Sequence, residues 1–405
     1  MADAPTTTVP EHPRREASRE RAAAGLPGRK DPRWLHSDPA WFTADAVCVP
    51  VPGDVTAADV TALAVEGLPH RAVFVDGHYR ADLSDAPDGV RLAPLGADDE
   101  VTRVHYGHHD EADGLSALNG AHWEDGLLVD VQRGVQASLH LIHLHTDAPG
   151  VRYDRVLVHA QPGSELTLFQ EETGGSAATV VNAVTEVHAH PTAIVRRDHL
   201  QDLHREASAA HTFESRVQKD ASVSDVNLHL GAGRGRTTAT ARLLEPGADA
   251  ELSGLYFMDE SRRSDHWTRV DHAAPHATSR SLYKGLLAGK SRGAFTGNVL
   301  VRDGATGTSA EQENRNLLLS RDALAESTPQ MEIHHDDVAC AHGSTVGQLD
   351  EDALFFLRAR GIGPDRARAL LTEAFAAEAL ERLAVPAVRD AVAARIQAWF
   401  KEDEA

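Results

Sequence analysis

The chain has 405 residues, 41% of them hydrophobic and 25% charged, a balance that buries a core and excludes collagen-like or disordered classes. Its net charge of -21, from 40 basic and 61 acidic residues, argues against a nucleic-acid binder, which needs a cationic surface. No apolar run reaches the roughly 18 residues of a membrane span, and the N-terminus lacks the apolar stretch of a secretory signal, so the expected location is the cytoplasm.

Five of the basic residues are Lys and the rest Arg. An acidic, Lys-poor surface fits a high-salt cytoplasm, where self-repulsion is screened; a GC-rich genome would also raise Arg. The two cysteines, Cys48 and Cys340, exclude a disulfide scaffold and cannot make a four-thiolate metal site within one chain.

In chain order, residues 1–24 are polar with mixed charges and read as a frayed or helical arm. Residues 25–45 hold two Trp and three Pro and read as a docking segment. Residues 46–100 combine a short helical pattern (57–68) with a strand at Ala72–Val75, turned by Asp76-Gly77. Residues 1–100 are therefore expected to form an N-terminal helical or mixed arm.

From about 125 to 345 short alternating runs dominate: LLVDVQ, ASLHLIHLH, DRVLVHA, SELTLFQ, DVNLHL, TTATARLL, AELSGLYF and GNVLV, separated by Gly- and Pro-containing turns. No crossover helix lies between them, which disfavours a doubly wound α/β sheet. Two features favour a parallel β-helix over a sandwich. QPGSELTL (161–168) is echoed by EPGADAEL (245–252), 84 residues on, as in stacked coils. Many strand positions are also small or β-branched, suited to a narrow core. The expected core spans residues 101–349.

After 350 the pattern turns helical. Gly363-Pro364-Asp365 opens one helix, with Pro at its first position and an acid in its first turn; Leu371, Phe375, Ala379 and Leu383 make its stripe. Pro386 opens another with Val388, Val392, Ile396 and Phe400 on one face. Residues 350–405 are expected to form a C-terminal helical domain whose stripes pack on each other or on a second protein.

Gly285, Gly289, Lys290 and Ser291 make a near-miss of a phosphate-binding loop. One residue is missing between the glycines, and strand-like sequence follows where a helix is needed, so no nucleotide site is expected. No GxSxG elbow points to a hydrolase. Among the 24 histidines, His143 and His145 share a strand face, His108 and His109 sit in a loop, and His266, His272 and His276 flank a polar stretch. None has a tight ligand spacing, and they read as exposed or satisfied histidines on an acidic surface. The densest constellation is His334-His335-Asp336-Asp337-Val338-Ala339-Cys340-Ala341-His342-Gly343. Cys340 and His342, two apart on a strand, face the same side; thiolate and imidazole suit iron, copper or zinc. They supply two ligands, so a stable site needs more, from His334, a second chain or the metal's own sulfide.

The stretch 309–362, SAEQENRNLLLSRDALAESTPQMEIHHDDVACAHGSTVGQLDEDALFFLRARGI, closely resembles the SufB/SufD family of iron–sulfur cluster assembly proteins. Segments 281–301, 72–95 and 25–35 are similar to further parts of that family, so the resemblance covers nearly the whole chain after residue 25. His342-Gly343-Ser344-Thr345, the lack of a Cys in Ser309–Leu319 and the length fit the SufD type of the family better than the SufB type. The resemblance implies a mainly β fold: a right-handed parallel β-helix with N- and C-terminal helical parts. It also implies a non-catalytic scaffold subunit that binds no nucleotide and partners a SufB-like subunit and a SufC-like ATPase, with a homodimer when alone. A transient iron–sulfur cluster shared with the SufB-like partner would be held through His342 and Cys340, with His334 a weaker third ligand. The stripe Leu370, Leu371 and Phe375 is expected to contribute to the SufC contact. The competing readings are a SufB-like homodimeric scaffold, a simple metal-binding module using Cys340, His342 and His334, and a carbohydrate-active β-helix enzyme, whose acidic substrate this charge would repel.

Overall fold

The structure, a computed structural model, describes residues 13–23, 25–26, 28, 30–43, 49–96, 99–107 and 114–402. The first twelve residues of the arm, Cys48, and the pair His108–His109 lie outside the described residues.

From Leu127 the chain lays down strands that alternate between two sheets. The first sheet stacks Gln136–His145, Glu165–Gly174, Ile194–Leu203, Ser222–His229, Asp249–Met258, Thr278–Leu287, Thr308–Leu318 and Val338–Gln348. The second stacks Leu127–Val131, Arg155–Ala160, Thr179–Ala189, Ser208–Val217, Arg234–Leu243, Arg263–His272, Arg292–Val301 and Leu324–Ile333. Every neighbour in these two runs is parallel. Each coil gives one strand to each sheet, so the fold is the expected parallel β-helix and not a sandwich. Leu166, Val195, Val223 and Ala250 are successive register partners; the 84-residue echo is therefore the same position three coils later.

The coils stay in register because their turns stack. Gly163, Thr192, Asp220, Gly247 and His276 occupy equivalent corners, and each has positive φ. Gly163 N–H donates to Pro191 O, Thr192 N–H to Lys219 O, and Asp220 N–H to Pro246 O. Three of the five corners are not glycine, so the stacked hydrogen bonds hold a conformation that L-residues adopt at a cost.

Arg71–Val75 adds to the first sheet beside Gln136–His145, and Asp76-Gly77 turns the chain back into His78–Tyr79. The helical pattern at 57–68 yields only Ala57–Thr61, opened by a capping box between Thr56 and Asp59. It ends with Ala62 as its C-cap, and Gly67, at a φ of +86°, together with Pro69 keeps the helix from running to Leu68.

The interior divides lengthwise. One half is apolar and small, with Val187, Ala189, Val195, Val217, Val223, Ala241 and Ala250 in one buried cluster. The other half is a polar and aromatic ladder, described below. The outer face of the first sheet is covered by the helices Pro364–Leu380 and Pro386–Glu402. Val226, Leu228, Leu255, Phe257 and Leu286 meet Ala379, Leu383, Val388, Val392, Ile396 and Phe400 there. Asp198 accepts the backbone N–H of Ala384 (3.1 Å) and Val385 (2.8 Å), pinning the start of the last helix to the sheet. The outer face of the second sheet carries the docking segment: Trp34 and Phe42 pack with Leu115 and Ala210, and the Arg236 guanidinium lies 3.9 Å over the Trp34 ring. The segment around Gly285–Ser291 is the end of one strand, a turn and the start of the next, without the helix a phosphate loop requires.

Candidate functional site

Inward-facing residues of the first sheet form continuous rows, because parallel register places equivalent positions above one another. One row runs Gln170, His199, Asn227, Gly254, Tyr283, Asn314, Ser344; the next runs Glu172, Gln201, His229, Tyr256, Gly285, Asn316, Val346. A side chain in the row meets water only where the stack ends.

Inside the stack many of these groups pair with one another. His143 Nδ1 and Asp154 Oδ2 are 2.6 Å apart, and Gln170 bridges from His143 Nε2 (3.1 Å) to Arg197 Nε (2.8 Å). Arg197 pairs with Asp225 at 2.5 Å; Asn227 donates to Asp225 and faces His199 Nδ1 at 3.0 Å. Glu172 meets His211 Nε2 at 2.6 Å. His229 and His266 share the Ser264 hydroxyl at 2.6 and 2.7 Å. Tyr256 stacks on His266 and donates to Asn316 at 2.5 Å, and Asn316 donates in turn to Asn314 (2.8 Å). Burial holds His199 and His229 well below the usual imidazole range and brings His266 to about 3 and His272 to about 4. The expectation of exposed or satisfied histidines on an acidic surface is thus corrected in their placement. His143, His145, His199, His211, His229, His266 and His272 are buried, and the partners Gln170, Asn227 and Gln201 of His143, His199 and His229 come from the adjacent coil. For those three the signal was present as a spacing of 27 or 28 residues, too long for a local ligand motif.

The ladder runs out at Val338–Gln348. That strand pairs with Thr308–Leu318 on one side only. Cys340 sits over Ala310 and His342 over Gln312; both lower residues are buried, whereas Cys340 is half-buried and His342 exposed. Cys340 packs at the edge of the apolar cluster of Val299, Val301, Ala305 and Ala310, and burial pushes its thiol up from the ordinary value. Val346, on the same face of the strand, is 48% exposed, and Ile333 at the end of the second sheet is 44% exposed. The two terminal edges differ. Leu324–Ile333 carries Glu326, Glu332 and Pro329, which blunt an edge against pairing. Val338–Gln348 (VACAHGSTVGQ) has no charged residue and no proline, so its free N–H and C=O groups are an undefended template for another strand.

His334 lies just before that strand, exposed, with Nε2 2.8 Å from Glu332. Among the described residues the sets of three close metal donors are His105/His159/His190 and Glu172/His199/His211; Cys340, His342 and His334 do not converge into one. Asn314 and Asn316, within the stretch Ser309–Leu319 that lacks a Cys, belong to the buried ladder. Leu370 and Leu371 are half-buried on Pro364–Leu380. Phe375 packs on the solenoid, with Lys284 Nζ 4.7 Å from its ring centre and 2.8 Å from its carbonyl. The most exposed large apolar side chains nearby are Phe355 (72%) and Phe356 (53%), on the helix Glu351–Ala359.

Comparison with known proteins agrees with this architecture. The family described as SUF system FeS cluster assembly, SufBD core domain, matches residues 143–375. An iron–sulfur cluster assembly SufBD family protein of Mycobacterium tuberculosis is 35% identical over 298 residues, 71% of this chain and 72% of that protein. The iron–sulfur cluster assembly protein SufD of Escherichia coli is 28% identical over 92% of this chain and 89% of its own length. The chloroplastic protein ABCI7 of Arabidopsis thaliana is 27% identical over 96% and 86%. No helix among the described residues is long and apolar enough to cross a membrane.

Proposed function

The chain belongs to the SufBD family of iron–sulfur cluster assembly proteins, and from that premise we propose that it is the SufD-type scaffold subunit of a SufB–SufC–SufD complex. The observation that carries this reading is the undefended terminal strand with Cys340 and His342 on its core-facing side. These two side chains have the orientation of ladder residues and no coil above to complete them. A SufB-like partner that adds its own strand to this edge brings further ligands to the same row, and the nascent cluster is cargo held between the two subunits. Iron–sulfur clusters take thiolate ligands, with imidazole as a substitute on some irons. Two donors here plus the partner's make a set that neither subunit holds alone.

The chemistry of this chain's own residues follows from their environment. Cys340 is protonated at neutral pH because burial raises its thiol, so ligation releases a proton and is favoured as pH rises. His342, open to solvent, can turn toward the partner at little cost. With His334 held by Glu332 outside the row, it is the weaker third ligand. A ligand set split between two chains releases its cluster when the chains shift against each other.

The SufC-like ATPase is assigned to the C-terminal helices. Pro364–Leu380 and Pro386–Glu402 spend most of their apolar faces on the solenoid, which leaves Leu370, Leu371 and the edge of Phe375, together with Phe355 and Phe356, as the apolar surface for that partner. Movement of these helices reaches the sheet through Lys284, Asp198 and Trp399, whose indole donates to Asp259 at 2.9 Å. The same bare edge supports pairing with a second copy when the SufB-like chain is absent.

The test is co-expression with the SufB-like and SufC-like chains, followed by anaerobic reconstitution with iron and sulfide. The wild-type complex is expected to hold cluster, and His342→Ala to lose most of it while the complex stays assembled. Full cluster content in His342→Ala, or no co-purification of the two partners, contradicts the proposal.

A further inference from the structure

On the outside of the second sheet, far along the solenoid from Cys340, four histidines gather. His159 and His188 are register partners on adjacent parallel strands. Val158, Ala160, Val187 and Ala189 point into the core, so the two imidazoles stand side by side on the outer face. His190 follows His188 by two and emerges on the same side. The helix Glu100–His105 lies over this face and brings His105 down at its end. His105 is 4.7 Å from His159, 4.8 Å from His188 and 5.3 Å from His190, ring centre to ring centre, and His159 and His190 are 4.7 Å apart.

We propose that His105, His159 and His190 form a binding site for one divalent transition-metal ion of the zinc or ferrous-iron type. Three observations carry it. One ligand atom from each of the three lies within 4.8 Å of the others, so closing onto metal–nitrogen bonds of about 2.0–2.1 Å needs side-chain shifts on the order of an ångström. His159 Nδ1 is 2.8 Å from Asp130, itself fixed by Gln161 (3.0 Å) and Arg91 (3.2 Å). A carboxylate on the far nitrogen orients a metal-binding imidazole and raises its basicity, and here it leaves Nε2 facing the cluster. His190 Nε2 is buried without a hydrogen-bond partner, a cost that a bound cation removes.

The site is also reachable. A cavity of about 230 Å³ opens beside it, lined by Val104, His105, His188, His190, Arg216 and Gln218 among others, with room for a water at an open coordination position. His188 Nδ1 lies 3.3 Å from His105 Nδ1, where it serves as a fourth ligand or steadies His105. Arg216, which lines this cavity, opposes a cation, and Asp130 favours one; Glu186, which accepts the Gly107 N–H at 2.8 Å, is already paired with Arg155. Neutral imidazoles select zinc, iron, nickel or copper over calcium and magnesium, which prefer oxygen. The group Glu172/His199/His211 is fully buried within the stack, and its Glu172 and His211 pair with each other at 2.6 Å.

The full-length chain, stripped of metal, is titrated calorimetrically with zinc sulfate and, anaerobically, with ferrous iron; elemental analysis after gel filtration counts the ions. One tightly held equivalent is expected. His159→Gln with His190→Gln is expected to weaken binding at least tenfold, and Asp130→Asn, which leaves all ligands in place, about 10- to 100-fold. Cys340→Ser with His342→Ala is expected to bind as wild type, which separates this site from the cluster proposal. Cobalt substitution gives a second readout: the visible d–d bands of a nitrogen-ligated ion, lost in the double histidine variant. No retained ion in wild type, or unchanged binding in both the histidine and Asp130 variants, overturns the inference.

Discussion

The middle coils and the last coil use the same inward face of the first sheet for opposite ends. At His199, His229 and Tyr256 each row is roofed by the next coil, and the imidazoles are forced neutral. At His342 and Val346 the rows have a floor and no roof. Side chains that would be structural three coils earlier become available to another chain. In a solenoid, function can therefore be placed by ending the stack: the terminal position inherits the orientation of the core without its enclosure.

The largest effect that sharpens this comparison belongs to the middle. Arg197→Ala leaves Asp225 buried without its counter-charge and is expected to cost about 3–5 kcal/mol in denaturant unfolding. A cost under about 1 kcal/mol would show that water or a neighbour replaces the guanidinium, and the roofed half would be less sealed than described.

Acid is the next lever. His266 and His272 are held neutral in the fold at about 3 and about 4 and take a proton in the unfolded chain near 6.5. Their contribution is intact above 6.5 and lost as pH falls toward the folded values. At pH 5 each costs about 2 kcal/mol relative to pH 7. Asp198, raised by burial to about 6, works the other way and returns about 1–2 kcal/mol over the same interval. Asp130, brought to about 2 by His159, Gln161 and Arg91 against the opposing effect of burial, matters only below about 4. A net loss of stability between pH 7 and 5 is expected in thermal melts, and His266→Phe should flatten it.

At the unroofed end the same kinds of change should scarcely register in stability. His342→Ala and Val346→Lys are each expected to shift unfolding by less than about 0.5 kcal/mol. Val346→Lys, by charging the bare edge, is expected to weaken association with the SufB-like partner at least tenfold, read in a binding titration. A large loss of stability from either would place these residues among the roofed ones.

Much of this was legible in the sequence, and the divide follows range. Strand periodicity, the PG-turn echo and the missing crossover helices gave the stacked fold, because each is a local pattern repeated. The Cys340–His342 pair stood out because two residues on one strand share a face. The ladder did not, since Arg197 and Asp225, or His159 and His188, become neighbours only once the coil length is known to the residue. Val158-His159-Ala160 and Val187-His188-Ala189 repeat the same three letters one coil apart, a trace that needed the register to be read. Phe375 was visible as part of an apolar stripe, but Lys284, which fixes where that stripe lies, comes from a strand 91 residues earlier.

The central claim is that Val338–Gln348 is an edge waiting for a strand from another chain. Amide hydrogen exchange over this segment, with and without the SufB-like partner, tests it most directly. Alone, the amides facing away from Thr308–Leu318 should exchange fast; in the complex they should become as protected as those of the central coils, whereas unchanged fast exchange in an assembled complex would contradict the account.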